Sequence, residues 1–294
     1  MRRAAAPPAR QGGPARRWLL ARRLSQAGIL LLFGLGPWFG WWLVKGNLSS
    51  SLTLGVLPLT DPYTLLQSLA AGHWPLATAW LGAALVLGLY LLVGGRSYCA
   101  WVCPVNPLTD AAAWLRRRLG LRGGLRLTRH LRHGLLLATL LAAAGSGSLA
   151  WELVNPVSML HRGLIFGMGA GWAVLAALFL FDLLVAERGW CGHLCPVGAF
   201  YSLPGRIGLL RVAAVRRSAC NDCADCYAVC PEPQVIKPAL KAVDGAGPAI
   251  LSAQCTNCAR CIDVCSKDVF AFGTRWARER PILAVHPMTQ PERT

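Results

Sequence analysis

Eight of the twelve cysteines stand in two runs with the same spacing. The first is Cys220-Asn-Asp-Cys223-Ala-Asp-Cys226-Tyr-Ala-Val-Cys230, and the second is Cys255-Thr-Asn-Cys258-Ala-Arg-Cys261-Ile-Asp-Val-Cys265. Both follow C-x2-C-x2-C-x3-C, the spacing at which bacterial proteins hold paired [4Fe–4S] clusters. Three thiolates of one tight loop reach three iron corners, and the fourth cysteine is carried away to the other cluster. Cys220, Cys223, Cys226 and Cys265 therefore form one ligand set, and Cys255, Cys258, Cys261 and Cys230 the second. A zinc site takes four ligands, usually from two separated C-x2-C pairs. A disulfide framework belongs to an oxidising compartment. Neither describes two runs of four.

The rest of the chain is of another kind. Its 294 residues suffice for two domains, 54% of them are hydrophobic, and the formal net charge is +17. The mean hydropathy is +0.43. Basic residues sit in short clusters flanking long apolar runs, which is the pattern of a membrane protein with basic loops on one side. A nucleic-acid interface is the other use of so much arginine, and this placement argues against it.

Four apolar segments approach the roughly 20 residues that cross a bilayer. They are Leu24–Val44, about Leu76–Val93, about Leu131–Leu149 and about Gly169–Ala186. Residues 1–23, rich in Ala, Pro and Arg, read as a disordered tail. Arg16-Arg17 has the look of a twin-arginine export signal, but the 21 uncharged residues that follow are too long for one and no cleavage site follows them. The arginines fall before the first segment, between the second and third, and after the fourth; residues 46–75 hold no Lys or Arg and residues 150–168 only Arg162. The positive-inside rule then places both termini and the cysteine runs in the cytoplasm, with the protein in the inner membrane.

The membrane part is duplicated. Asp61-Pro62 and Asn155-Pro156 each lie in a connection expected on the outer side, and each precedes a segment that ends in a cysteine pair followed by proline. The pairs are Cys99-Ala-Trp-Val-Cys103-Pro104 and Cys191-Gly-His-Leu-Cys195-Pro196; Pro62 to Pro156 spans 94 residues and Cys99 to Cys191 spans 92. Two such units are related by an axis along the membrane normal. Cysteines at i and i+4 share one side of a helical turn. Cys99, Cys103, Cys191 and Cys195 can hold a further metal centre, act as redox dithiols, or pack as small apolar side chains. Arg96 and Arg188 are the neighbours that would favour thiolates.

No histidine lies mid-segment to clamp a haem and no C-x-x-C-H signature occurs, so no haem is expected. A quinol substrate would release protons to Asp61, His73, Glu152 or His161 in an aromatic setting of Tyr63, Trp74 and Trp151. Asp61 and Asn155 also read as helix N-caps with proline in the first helical position. Asp182 near the inner end of the fourth segment is a proton-relay candidate or an interfacial residue pairing with Arg188. Asp222, Asp225, Asp263 and Asp268 read as solvated loop residues.

Three stretches carry a resemblance: Gly95-Arg-Ser-Tyr-Cys99-Ala-Trp-Val-Cys103-Pro104-Val-Asn-Pro107, Trp151-Glu-Leu-Val-Asn155-Pro156-Val-Ser158, and Trp190-Cys191-Gly-His-Leu-Cys195-Pro196-Val-Gly198. With the two cysteine runs, they make the chain resemble the NapH family of membrane-bound ferredoxin-type proteins, which includes MauN-like sequences. Cys265-Ser266 departs from the proline that often follows in ferredoxins, which leaves the ligand set intact. The resemblance implies the membrane component of a quinol dehydrogenase working with a NapG-like polyferredoxin and cytochromes c toward a periplasmic nitrate reductase. The competing readings are a membrane ferredoxin serving as a maturation or metal-reducing accessory factor, and a NosR-like redox regulator, for which the outer connections are too short.

The expected fold is therefore membrane all-α, with four transmembrane helices in duplicated helix–loop–helix units over residues 24–211. An α+β bacterial two-cluster ferredoxin-like domain follows over 212–272, and a tail over 273–294.

Overall fold

A computed structural model describes residues 16–279 apart from 122, 126, 168 and 170. The expected tail over 1–15 and that over 280–294 lie outside the described residues.

The first helix, α1 (Arg17–Phe39), starts within the expected N-terminal tail, because Asp263 accepts the N–H groups of Trp18 (3.2 Å) and Leu19 (2.9 Å). Asp263, expected in solvent, thus satisfies amides that a helix start leaves orphaned. Trp18 packs edge-on against Phe272 (4.9 Å) inside the ferredoxin core. Pro37 falls in the last turn, and Gly40 ends the helix in the left-handed region, so Trp41 and Trp42 lie beyond it. An antiparallel sheet of β1 (Val44–Gly46), β2 (Ser50–Thr53) and β3 (Leu57–Thr60) follows. It packs on the helix two elements on: a Cβ on Gly82 would meet the backbone nitrogen of Thr60 at 2.8 Å.

Next come α2 (Pro62–Ala70), α3 (Ala77–Val93), α4 (Ser97–Trp101) and α5 (Asn106–Arg118). The second unit has α6 (Leu131–Ser146), α7 (Pro156–Phe166) and α8 (Gly171–Leu180), which runs into a π-helical turn over Phe181–Val185. Among the described residues only α1 is both long and apolar enough to cross a membrane by length and composition; α3, α6 and the helix over Gly171–Val185 are apolar but shorter. At 1.5 Å per residue, a 17-residue helix such as α3 spans about 26 Å, just short of a ~30 Å hydrocarbon core.

After α9 (Pro196–Ser202), β4 (Leu210–Ala213) opens the ferredoxin domain, followed by α10 (Asp225–Val229), α11 (Ile236–Lys241) and α12 (Arg260–Val264). β5 (Ala271–Thr274) closes it by pairing antiparallel with β4, which moves the expected 212–272 boundaries outward by two residues at each end. Ala249 makes an isolated antiparallel bridge to Ala213, and Val235-Ile236 is helical. The core of this domain gathers Val212, Ile236, Leu240, Ile250, Ile262 and Val269 around the cysteines.

Candidate iron–sulfur and quinol sites

The two cysteine runs fold alike. Each carries left-handed backbone at matching places, Asp222 and Ala224 in the first and Asn257 and Ala259 in the second. Such alternation turns successive amides inward into an anion-binding nest, the form many iron–sulfur sites use. Alanine seldom adopts this conformation, and it persists only where the surroundings impose it. Cys220, Cys223, Cys226 and Cys265 line one small cavity, and Cys230, Cys255, Cys258 and Cys261 line another. Burial pushes the Cys226 thiol up to about 12, and the thiols that act on it next are Cys265, Cys220 and Cys223. Among the described residues no three His, Cys, Asp or Glu stand close enough for a single metal ion. Each cavity is lined by four cysteines, the number of thiolates that holds a [4Fe–4S] cluster.

The second run lies against the helices that precede the ferredoxin domain. Asn257 donates to the carbonyls of Val93 (3.0 Å) and Leu210 (2.8 Å), and its own carbonyl accepts from the Trp101 indole (3.1 Å). Gly94 makes this approach possible: its φ is +91°, and a Cβ there would stand 2.5 Å from the Asn257 amide. Beneath it, Glu232 is buried among Arg96 (3.0 Å), Arg132 (3.3 Å) and Arg129 (3.1 Å). Burial raises the Glu232 pKa, but the Arg96 guanidinium and the hydrogen bonds outweigh it, so it stays below the usual carboxylate value. Glu232 had no signal in the sequence beyond its place after Cys230-Pro231.

The two C-x3-C-P pairs share a detail. Cys103 N–H donates to Tyr98 O (3.0 Å) and Cys195 N–H donates to Trp190 O (2.9 Å), each reaching back five residues to the residue before the first cysteine. The widened turn keeps both thiols of a pair on one side. The pairs also face each other: burial raises the Cys191 thiol well above its ordinary value, and Cys103, Cys195 and Cys99 raise it further. Cys195 is pushed up to about 12 by burial and then by Cys99, against a smaller opposing pull from Arg96. The expected basic activation is therefore outweighed by burial. Arg188 does not serve it, because it donates to Asp110 (3.2 Å). Asp182, expected at an interface, is buried and accepts the Trp190 N–H (2.9 Å).

Both predicted N-caps form: Asp61 accepts from Tyr63 N–H (3.3 Å) and Asn155 from Val157 N–H (3.1 Å). Asp61 accepts from the Tyr201 hydroxyl at 2.7 Å, six residues past Cys195, so the chain after α1 turns back toward the cysteine pairs before α2 begins. Asp61 is packed among aromatic rings, and four of the chain's five tyrosines gather here. Tyr98 stacks on Tyr201 (5.0 Å), Tyr90 meets Tyr201 edge-on (4.9 Å), and the Tyr63 hydroxyl bonds Thr139 (2.7 Å). Asp61, Tyr90, Tyr98 and Tyr201 close one end of an apolar cavity of about 320 Å³. A second cavity, of about 470 Å³, shares Leu89, Tyr90 and Val102 with it and ends on Asn257 and Trp101. Burial lifts the Asp61 carboxyl to about 6 in spite of the Tyr201 hydrogen bond.

The other three proton-acceptor candidates separate. Glu152 holds Ser49 (3.0 Å), Ser158 (2.6 Å) and Asn155 (3.0 Å), one residue pair from the Asp61 cavity. His161 is buried edge-on to Phe33 (5.2 Å), and His73 is exposed at the far end beside the Gly147 carbonyl (3.0 Å). Tyr90, Tyr98 and Tyr201 were missed because single tyrosines carry no spacing signal, although Tyr98 adjoins Cys99.

Comparison with known proteins agrees with this geometry. A family model described as a 4Fe-4S binding domain matches twice, over residues 76–122 and 166–214, and a 4Fe-4S dicluster domain matches residues 213–266. The ferredoxin-type protein NapH of Escherichia coli strain K12 is 51% identical over 262 residues, covering 89% of this chain and 91% of the relative. The methylamine utilization ferredoxin-type proteins MauN of Methylorubrum extorquens and Paracoccus denitrificans are each 55% identical, over 89% of this chain and 90% and 92% of theirs. The chain belongs to the NapH/MauN family of ferredoxin-type proteins. As a member of this family it is an iron–sulfur electron-transfer protein, and the double match falls on the two units that carry the C-x3-C-P pairs. No solved structure matches the chain.

Proposed function

We propose that this NapH/MauN-family protein is the membrane component of a quinol dehydrogenase, with four membrane-crossing helices and its ferredoxin domain on the cytoplasmic side. The observation that carries the reading is the apolar cavity closed by Asp61 and Tyr201, whose wall continues to Asn257 of the second cysteine run. An apolar space of a few hundred cubic ångströms with a few polar groups on its wall is the usual form of a small-molecule site. Asp61 accepts one of the two protons that a bound hydroquinone loses with its two electrons, and Tyr201 orients the carboxylate. Cys220, Cys223, Cys226 and Cys265 hold one [4Fe–4S] cluster, Cys255, Cys258, Cys261 and Cys230 a second, and Cys99, Cys103, Cys191 and Cys195 a further iron–sulfur centre between the units. Bound there, the clusters supply one-electron carriers.

A NapG-like polyferredoxin and cytochromes c toward a periplasmic nitrate reductase are the proposed partners. Similar identity to the MauN relatives makes a methylamine-utilization system the second assignment. The test is anaerobic addition of menaquinol or ubiquinol to the purified protein with the iron–sulfur signals followed by EPR. Reduction is expected to speed up as pH rises through about 6, where Asp61 loses its proton. Asp61→Asn should slow it roughly 10²-fold, the loss of a general base, with iron content unchanged. Failure of both quinols to reduce intact clusters sinks the reading. A second count, of iron in Cys99→Ser/Cys103→Ser protein, is expected to fall; an unchanged count assigns those pairs to a dithiol.

A further inference from the structure

At the same end of the molecule as the cysteine runs lies a cavity of about 520 Å³ that the electron-transfer reading does not use. It opens between α1, α5 and α12, and six guanidinium groups line it: Arg16, Arg22, Arg23, Arg117, Arg188 and Arg260. Two carboxylates, Asp110 and Asp263, oppose these six cations, so positive charge is in excess among the lining residues. Asp110 takes Arg23, Arg188 (3.2 Å) and Arg260 (2.6 Å) together. Asp263 is engaged by the first amides of α1. Arg22 is only 2% exposed, yet its Nη1 has no hydrogen-bond partner. A buried donor left without an acceptor is costly, and an anion in the cavity supplies one.

The walls are apolar: Leu19, Pro107, Ala111 and Trp114 face the space, and Trp114 is itself largely exposed. A charged floor with an apolar ramp is the form of a lipid site rather than of a soluble phosphate site. Guanidinium forks match phosphate oxygens two at a time. Basic pockets between membrane helices on the cytoplasmic side take anionic headgroups.

We propose that this cavity binds the phosphodiester headgroup of an anionic phospholipid, with an acyl chain along Leu19 and Trp114. Arg260 stands between Cys258 and Cys261, so the headgroup ties the second cysteine run to α1 and α5. The inference does not depend on quinol oxidation, and its readout is lipid retention.

The test places the full chain in nanodiscs of phosphatidylcholine with or without phosphatidylglycerol and measures retained lipid by native mass spectrometry. Phosphatidylglycerol is expected to be retained at least tenfold over phosphatidylcholine. Arg22→Gln should lower its retention roughly fivefold, the loss of one cationic contact at an anionic headgroup, and Arg22→Lys should restore most of it. If Arg22→Gln protein loses iron, Arg117→Gln at the rim serves instead, with a smaller drop expected. Equal retention of the two lipids overturns the proposal. So does tight retention of added inorganic phosphate with no preference for phosphatidylglycerol, which assigns the cavity to a soluble anion.

Discussion

The two cysteine runs share a spacing and a backbone and differ in what surrounds them. Residues 256–262 of the second run are buried, whereas Asn221, Asp222 and Ala224 of the first are exposed. Two matching positions account for the difference. Where the first run has Asp222, ion-paired with Lys241 in solvent, the second has Asn257, whose amide donates to two backbone carbonyls. Where the first has Asp225, the second has Arg260, which reaches Asp110 of α5. An aspartate at the first place would point a second acceptor at those carbonyls, and one at the second would face Asp110. The fold of a two-cluster ferredoxin is symmetric, and two side chains decide which end docks on the preceding helices.

The sharpest way to break this asymmetry is Asn257→Asp. It buries a carboxylate against the carbonyls of Val93 and Leu210, and a loss of about 3–5 kcal/mol is expected, the usual cost of an uncompensated buried charge. The reciprocal Asp222→Asn is expected to change nothing measurable. Thermal unfolding of the pair reads the contrast; equal effects would contradict the assignment of docking to Asn257.

A smaller effect is expected from Glu232→Gln, which sits on the docked side only. It removes the one carboxylate shared by Arg96, Arg129 and Arg132 and puts an amide donor where one of its two acceptor oxygens stood. A loss of about 2–3 kcal/mol in unfolding free energy follows from truncating one member of a buried charged group. The iron of the second ligand set should be released faster than that of the first. Unchanged stability would place the docking strength elsewhere.

Much of this molecule is legible in its sequence. The two ligand sets, the duplicated units and both proline N-caps follow from spacing and from capping chemistry, because each is set within a few residues. The turn of the chain back toward Asp61 is not legible, since residues 40–60 carry no charge pattern distinguishing an outer loop from one that re-enters. Nor is the role of Asp263, which caps a helix 245 residues away. The Glu232–arginine group escapes for the same reason: its three partners come from distant segments, and an isolated Pro-Glu-Pro says nothing of burial. The tyrosine group around Asp61 is assembled from four elements and appears only when they pack.

The asymmetry bears on direction, because a carrier that docks at one end and shows the other to solvent has an inner and an outer station. The most direct measurement compares Cys258→Ser with Cys223→Ser protein, each expected to lose one ligand set's iron and keep the other's. Both are mixed anaerobically with quinol, freeze-quenched and examined by EPR. Expected is reduction at near wild-type rate in Cys223→Ser and none in Cys258→Ser. Reduction in Cys258→Ser at the wild-type rate, or its loss in Cys223→Ser with the second set's iron intact, would show that electrons do not enter through the membrane-facing run.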